Sequence, residues 1–387
     1  MATDYGPTIR PSPARAGAAL GLSVALPLLG VALAGETPAA FLSFPPEGRE
    51  RSYPGFSWAA FAGIWTLFAA LVAAWRFAPR ASSPANPPPT TEDGGRPGNR
   101  RHGFPAWGWA GPALCLVFWL AAWLPGESLL RRYAFPPLWV GYILTVNALI
   151  HLRTGNCPLA RERSRFLALF PASAAFWWLF EYLNRFVNNW VYLAPSDPGV
   201  GEYVLHASLS FATVLPAVYS TRALLGTFPA LRRALARGPR LPRARERATG
   251  AAFFLLGALG MAGIGWRPDH LFPVLWLGPL LLWCGLETLG GRPPWAETRR
   301  GDWRDVVSWA LAALVCGFFW EMWNFHAMPK WIYQIPWFER FYLFEMPVSG
   351  YLGYLPFGLE CALGVALVRR LAGNGPEGPP PIPEAES

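Results

Sequence analysis

Apolar residues gather along this chain in long runs separated by short polar or basic stretches. Ten runs fall at about 16–34, 57–77, 106–124, 135–152, 166–184, 202–225, 250–266, 271–290, 305–324 and 347–368. Several reach the ~18–20 residues that a helix needs to cross hydrocarbon. The pattern predicts an all-α fold, a polytopic transmembrane bundle of about ten helices. Arg10 and Arg15 precede the first run as they would in a signal peptide, but its apolar stretch is longer than a signal core, which favours a retained helix.

Composition narrows the class. Only 15% of the 387 residues are charged, against about 25% in soluble domains. Tryptophan occurs 21 times, and of the 33 basic residues only Lys330 is a lysine. Cys115, Cys284, Cys316 and Cys361 lie in apolar runs and Cys157 in a basic loop. No Cys-x-x-Cys pair is present, which points away from a disulfide framework or thiolate zinc site; the cysteines read as small packing residues.

The arginines set an orientation. Eight basic residues (Arg49, Arg51, Arg131, Arg132, Arg185, Arg267, Lys330 and Arg340) fall in one set of alternate connections, and the other 25 fall in the opposite set together with both termini. The positive-inside rule then places both termini in the cytoplasm and the protein in the inner (plasma) membrane. Residues 78–104 and 371–387 are rich in Pro, Gly and Ser and are expected to be disordered. The basic loop 226–249 suits a topology determinant beside the bilayer rather than a nucleic-acid site.

The chain also repeats itself. Phe135-Pro136-x-Leu138-Trp139-x-Gly141 recurs as Phe272-Pro273-x-Leu275-Trp276-x-Gly278. Trp178-x-x-Glu181-x-x-Asn184 answers Trp320-Glu321-x-x-Asn324, Trp190-x-Tyr192 answers Trp331-x-Tyr333, and Leu215-Pro216 answers Leu355-Pro356. Four landmarks in one order predict two four-helix units, 105–225 and 250–370, preceded by a two-helix hairpin at 1–77. An even number of spans gives both units the same orientation, a tandem parallel repeat.

The repeated acidic motif is the candidate site. Glu181 and Glu321 each share a helix face with an Asn three residues on, Asn184 and Asn324. A carboxylate in the last turn of a membrane helix sits at the negative end of the dipole and close to hydrocarbon. It should either hold its proton or find a cationic partner, for which Arg185 and Lys330 are nearest in sequence. Glu181 and Glu321 are therefore candidate catalytic acids or bases, with Asn184, Asn324, Trp178, Trp320, Trp190, Tyr192, Trp331 and Tyr333 as candidate substrate-binding residues. The other reading is that they only hydrogen-bond neighbouring helices.

Pro216 and Pro356 are expected to kink the last helix of each unit. Residues 325–346 are aromatic and proline-broken, and should lie along the outer interface. His206, His270 and His326 fall near that face without metal-ligand spacing, so no metal is assigned. Glu287 is expected to snorkel to water at the inner end of its helix.

Trp331-x-Tyr333 followed by Glu345-x-Pro347 resembles the style of membrane carotenoid-cyclase domains, whose adjacent paired carboxylates this sequence lacks. That resemblance implies isoprenoid or carotenoid modification as one alternative. Nucleotide-binding loops and hydrolase nucleophile motifs are lacking, which disfavours ATP-driven transport by this chain and common hydrolase chemistry. What remains is a lipid or small hydrophobic ligand bound between the units, a secondary transporter or flippase, or a structural component of a membrane complex. The sequence names no cofactor and no oligomeric state.

Overall fold

The computed structural model describes residues 7–46, 52–80, 102–126, 128–193, 199–241 and 245–373. Most of the two segments expected to be disordered, 78–104 and 371–387, lies outside the described residues. The fold is mostly helical. Its main helices are α1 (Pro13–Leu33), α2 (Trp58–Phe77), α3 (Ala110–Ala122), α4 (Phe135–Thr154), α5 (Arg163–Val187), α6 (Val200–Phe211), α7 (Val214–Leu225), α8 (Glu246–Trp266), α9 (Val274–Leu289), α10 (Arg304–Asn324) and α11 (Tyr354–Leu371). Among the described residues eight helical segments are long and apolar enough to cross a membrane, and Ala106–Ala122 and Val274–Leu289 are shorter apolar helices.

Local chemistry explains where these helices start and stop. Pro136 and Pro137 open α4, where the missing N–H would have had no intrahelical partner. Gly155 closes it at φ 77°, a left-handed cap that glycine takes without steric penalty. α5 ends on Asn188 at φ 49°, one of the few side-chain-bearing residue types that visit this region readily.

The matched prolines act differently from the expectation. The apolar run at 200–225 is two helices, α6 and α7, broken at Ala212 and Thr213. Before α11 the chain forms a 3-10 stretch, Val348–Gly353. Pro216 and Pro356 each sit in the first turn after the break, the one helical position that tolerates proline. They start new helices rather than bending continuous ones. Ser173 serves the first break: its hydroxyl donates to the Phe211 carbonyl at 2.5 Å and accepts from the Leu215 N–H at 3.0 Å.

Four short strands depart from an all-α reading. β1 (Trp190–Leu193) follows α5, β2 (Lys330–Tyr333) follows α10, and the two pair antiparallel with Trp190 opposite Tyr333, Val191 opposite Ile332 and Tyr192 opposite Trp331. β3 (Tyr342–Leu343) and β4 (Met346–Pro347) form a small hairpin in the aromatic 325–346 stretch.

Packing follows the small residues. α3 and α4 cross where Gly111 and Gly141 lie against each other, and a Cβ on either would come 2.8 Å from the other's carbonyl oxygen. α8 and α9 cross in the same way at Gly250 and Gly285, where a Cβ on either would come 3.2 or 3.0 Å from the other's carbonyl oxygen. α7 meets α11, α10 packs on α7, and α11 packs on α5. α1 lies on α8 and α9, whereas α2 meets the Val348–Gly353 turn and has no buried residue. At the end away from the ribbon, buried ions are paired. Glu287 does not snorkel to water. It is 1% exposed, bonds Arg15 at 3.1 Å and accepts from the Ser12 N–H at 2.6 Å, which ties α1 to α9. Asp305 likewise bonds Arg222 at 3.0 Å and the Thr8 hydroxyl at 2.9 Å.

Candidate functional site

The two matched glutamates sit near the ends of their helices, Glu181 six residues before the end of α5 and Glu321 three before the end of α10, where the chain leaves a helix for the ribbon. Neither takes a lysine or arginine partner among the described residues. On Glu181, Oε1 accepts from Tyr192 Oη at 2.6 Å, Trp177 Nε1 at 3.0 Å and Trp190 Nε1 at 3.2 Å. On Glu321, Oε1 accepts from Tyr333 Oη at 2.7 Å and Tyr354 Oη at 2.8 Å. Arg185 instead donates to the carbonyls of Phe41 and Ser43, and Lys330 pairs with Glu345. Indole and phenol donors thus do the work expected of a cation.

The asparagines hold the strands. Asn184 Nδ2 donates to the Trp190 carbonyl at 2.7 Å and its Oδ1 accepts from the Trp190 N–H at 3.3 Å. Asn324 does the same to Trp331, at 2.7 and 2.9 Å. An amide side chain carries its donor and its acceptor on separate, adjacent atoms and can meet the N–H and C=O of one residue at once, so each helix end fixes the register of its strand. That register then delivers Tyr192 and Tyr333 to the carboxylates. Outside the helices, burial first and the neighbouring Glu321 second push the Tyr333 phenol well above its ordinary value of 10. It therefore remains a proton donor.

The two sites draw their remaining donor from different places. Trp177 reaches Glu181 from the preceding turn of α5. The residue in that place on α10 is Gly317, and a Cβ there would collide with the Tyr354 ring. Tyr354, from the first turn of α11, fills the space and supplies the hydrogen bond; the matching position in α7 is Val214. Trp331 adds an indirect link, donating to Tyr333 Oη at 2.9 Å.

A cavity of about 1040 Å³ opens beside these groups. Its wall includes Glu181, Trp177, Trp190, Tyr192, Trp276 and Trp320, and on the other side Trp331, Tyr333 and Tyr354. Glu181 Oε2 has no hydrogen-bond partner among the described residues, and Glu181 lines the wall. Glu321 is fully buried behind its two tyrosines, with Oε2 unpartnered. Trp177 and Trp320 approach to 6.4 Å between ring centroids, and Trp320 stacks on Tyr354 at 5.9 Å. Three rings therefore run from one carboxylate's donor set to the other's.

Not every expected residue meets the cavity. Trp178 faces away from it, donating to Ser208 at 3.0 Å and packing on Tyr203 and Phe211. The histidines are dispersed. His206 stands on the cavity wall against Tyr133, whereas His270 lies against Trp337 and His326 on Trp123 at 3.7 Å, both off that wall. Among the described residues no three His, Cys, Asp or Glu side chains come together as a metal site would need. Tyr354, Trp276 and Arg185 belong to the wall without having been assigned to a site by their motifs. For Tyr354 a signal existed: Gly317 stands where the first unit has Trp177, so another side chain had to fill that space. No protein-family description, curated protein sequence or solved structure matches the chain.

Proposed function

We propose that this membrane protein binds and processes a lipid or other hydrophobic substrate in the cavity between two four-helix units, 105–225 and 250–370. The observation that carries this reading is the ~1040 Å³ cavity, rich in aromatic side chains, with Glu181 in its wall and Glu181 Oε2 without a hydrogen bond among the described residues. Ligand sites are concave and mostly apolar with a few placed polar groups, and a carboxyl at membrane depth is a functional hypothesis by default. Glu181 acts on the substrate as a proton acceptor or donor. Glu321, sealed behind Tyr333 and Tyr354, is its structural counterpart.

The parallel repeat supports the shared site. α10 on α7 and α11 on α5 are the same contact made in both directions, and α7 against α11 is its own equivalent. The ribbon obeys the same relation, since Trp190 and Trp331 each face the other strand's tyrosine while Val191 and Ile332 face each other. A twofold axis through that central pair relates the units. With ten crossings, the ribbon lies on the outer face of the plasma membrane and both termini in the cytoplasm, as the arginine distribution demands. Membrane-impermeant thiol reagents should label a cysteine placed at Leu193 from outside and one placed at Arg233 only after permeabilisation; the reverse pattern overturns this orientation.

A transporter or flippase is the second reading. The matched breaks at Ala212–Thr213 and Val348–Gly353, both bordering the cavity, favour it, because broken helices at a repeat interface are a transporter device. Mass spectrometry of lipids from cells with and without the gene separates the two. A change in lipid structure supports processing, and a change confined to leaflet or compartment supports transport. Glu181→Gln should abolish the change while Glu321→Gln retains it. A lipid profile unaffected by deletion or by Glu181→Gln overturns the processing reading.

A further inference from the structure

We infer that the cavity selects a phospholipid-like amphiphile, with Arg185 holding an anionic phosphate and the apolar stripe of α2 holding the tail; this rests on the hydrophobic-ligand reading above. Arg185 lies in the last turn of α5 and lines the cavity. Among the described residues its guanidinium is fixed by one nitrogen, Nη1, which donates to the carbonyls of Phe41 at 3.1 Å and Ser43 at 2.7 Å. Nε is buried without a partner, and Arg185 forms no ion pair among the described residues. The other arginine on the wall, Arg132, is already paired with Glu202 at 3.1 Å. Arg185 thus brings a positive charge to the wall of a largely apolar chamber, with Nη2 the guanidinium nitrogen left to donate, since Nε is sealed from it. A guanidinium N–H of this kind matches a phosphate oxygen. Glu181, one turn earlier on the same wall, offers Oε2 as an acceptor. The headgroup that satisfies both carries a phosphate and, beyond it, a hydroxyl or ammonium donor.

The tail site is equally specific. Ile64, Leu67, Phe68 and Leu71 of α2 line the cavity. Their spacing of three and four residues places them on one helix face. α2 has no buried residue, although one face of it borders the body of the protein. That face turns four apolar side chains to the cavity, the surface an acyl chain requires. A substrate seated there would reach the cavity sideways from the bilayer.

The test is binding to the purified full-length protein in detergent, read by native mass spectrometry. The probes are phosphatidylglycerol, diacylglycerol with the same chains, and glycerol phosphate without chains. The expected result is phosphatidylglycerol bound at least about tenfold more tightly than either partial ligand. Arg185→Gln should remove the preference over diacylglycerol, and Leu67→Asn/Leu71→Asn should weaken both lipids. If Arg185→Gln does not fold, Arg185→Lys must still prefer the phospholipid, and equal binding overturns the headgroup assignment. Equal binding of both lipids by the unaltered protein overturns that assignment while leaving the hydrophobic site standing. Competition by glycerol phosphate as strong as by the lipid overturns the tail site. Binding of no lipid at all overturns the underlying reading as well.

Discussion

At the scale of single residues, the fold solves the problem of a carboxyl near hydrocarbon with aromatic donors rather than with ions. Hydrogen bonds to a charged group contribute roughly 1.5–3 kcal/mol each. Tyr333→Phe deletes one of the two direct donors to Glu321 Oε1, and should lower stability by about 1–3 kcal/mol, seen as a lower midpoint in thermal unfolding in detergent. The same tyrosine predicts an alkaline weakness. Its phenol is raised well above 10 by burial and by Glu321, so its stabilisation is complete below the unfolded value and declines as pH rises beyond it. Tyr333→Phe should flatten the loss of stability above pH ~10; an unchanged slope would remove Tyr333 from that account. A second prediction follows from the exchange between Gly317 and Tyr354. Gly317→Trp places an indole where the Tyr354 ring stands, and overpacking of this kind destabilises by about 1–3 kcal/mol or more. Gly317→Trp/Tyr354→Val rebuilds the arrangement of Trp177 and Val214, and should recover most of the loss. If the double variant is no better than the single, the two sites are not interchangeable.

At the scale of elements, the joint between the units is the β1–β2 ribbon. Val191 faces Ile332 directly, and opposed residues in antiparallel strands hold their Cβ atoms ~4.5–5.5 Å apart. Val191→Cys/Ile332→Cys should form an intramolecular disulfide under mild oxidation, visible as a reducible mobility shift. Val191→Cys/Leu343→Cys should not, because Leu343 belongs to the other hairpin, paired with Met346. This ribbon was half legible in the sequence. Trp190-x-Tyr192 and Trp331-x-Tyr333 show the two-residue alternation of a strand, yet each is four residues long, too short to stand out from an aromatic interface segment. Their pairing joins residues 141 apart, and no local pattern reports that. The breaks at Pro216 and Pro356 were legible as positions but not as kind. Proline forbids a helix interior and permits a first turn, so the residue alone leaves kink and new start equally open. Glu287 reads as a snorkelling carboxylate because its partner, Arg15, lies 272 residues away. Hydropathy, by contrast, reports a property of each segment by itself, which is why the apolar runs reappear as helical segments, eight of them among the described residues long and apolar enough to cross a membrane.

At the scale of the whole molecule, the helices of the two matching stretches of sequence are covered unequally. α1 lies on α8 and α9, whereas α3 keeps Leu116, Val117 and Leu120 exposed at 60, 55 and 59%. A helix in lipid gains nothing from hydrophobic attraction to another helix, so close backbone approach and polar ties must hold it. α1 has both. Gly30 lies so near the Ala262 carbonyl, and Gly265 so near the Pro27 carbonyl, that a Cβ on either would overlap it. The Tyr182 hydroxyl donates to the Val24 carbonyl at 2.7 Å, and Arg15 meets Glu287. The obstacle to a larger residue at position 30 is backbone rather than a movable side chain, so relief requires the helices to part. Gly30→Leu should therefore cost more than the ~1–3 kcal/mol of ordinary overpacking, lowering the unfolding midpoint in detergent. The ribbon should be spared, since α1 reaches α5 by the Tyr182–Val24 hydrogen bond rather than by a close backbone crossing, and the Val191→Cys/Ile332→Cys disulfide should still close in the Gly30→Leu background. An unshifted midpoint would mean that α1 is not seated on α8. Loss of both the midpoint and the disulfide would mean that α1 supports the whole bundle rather than the second unit alone.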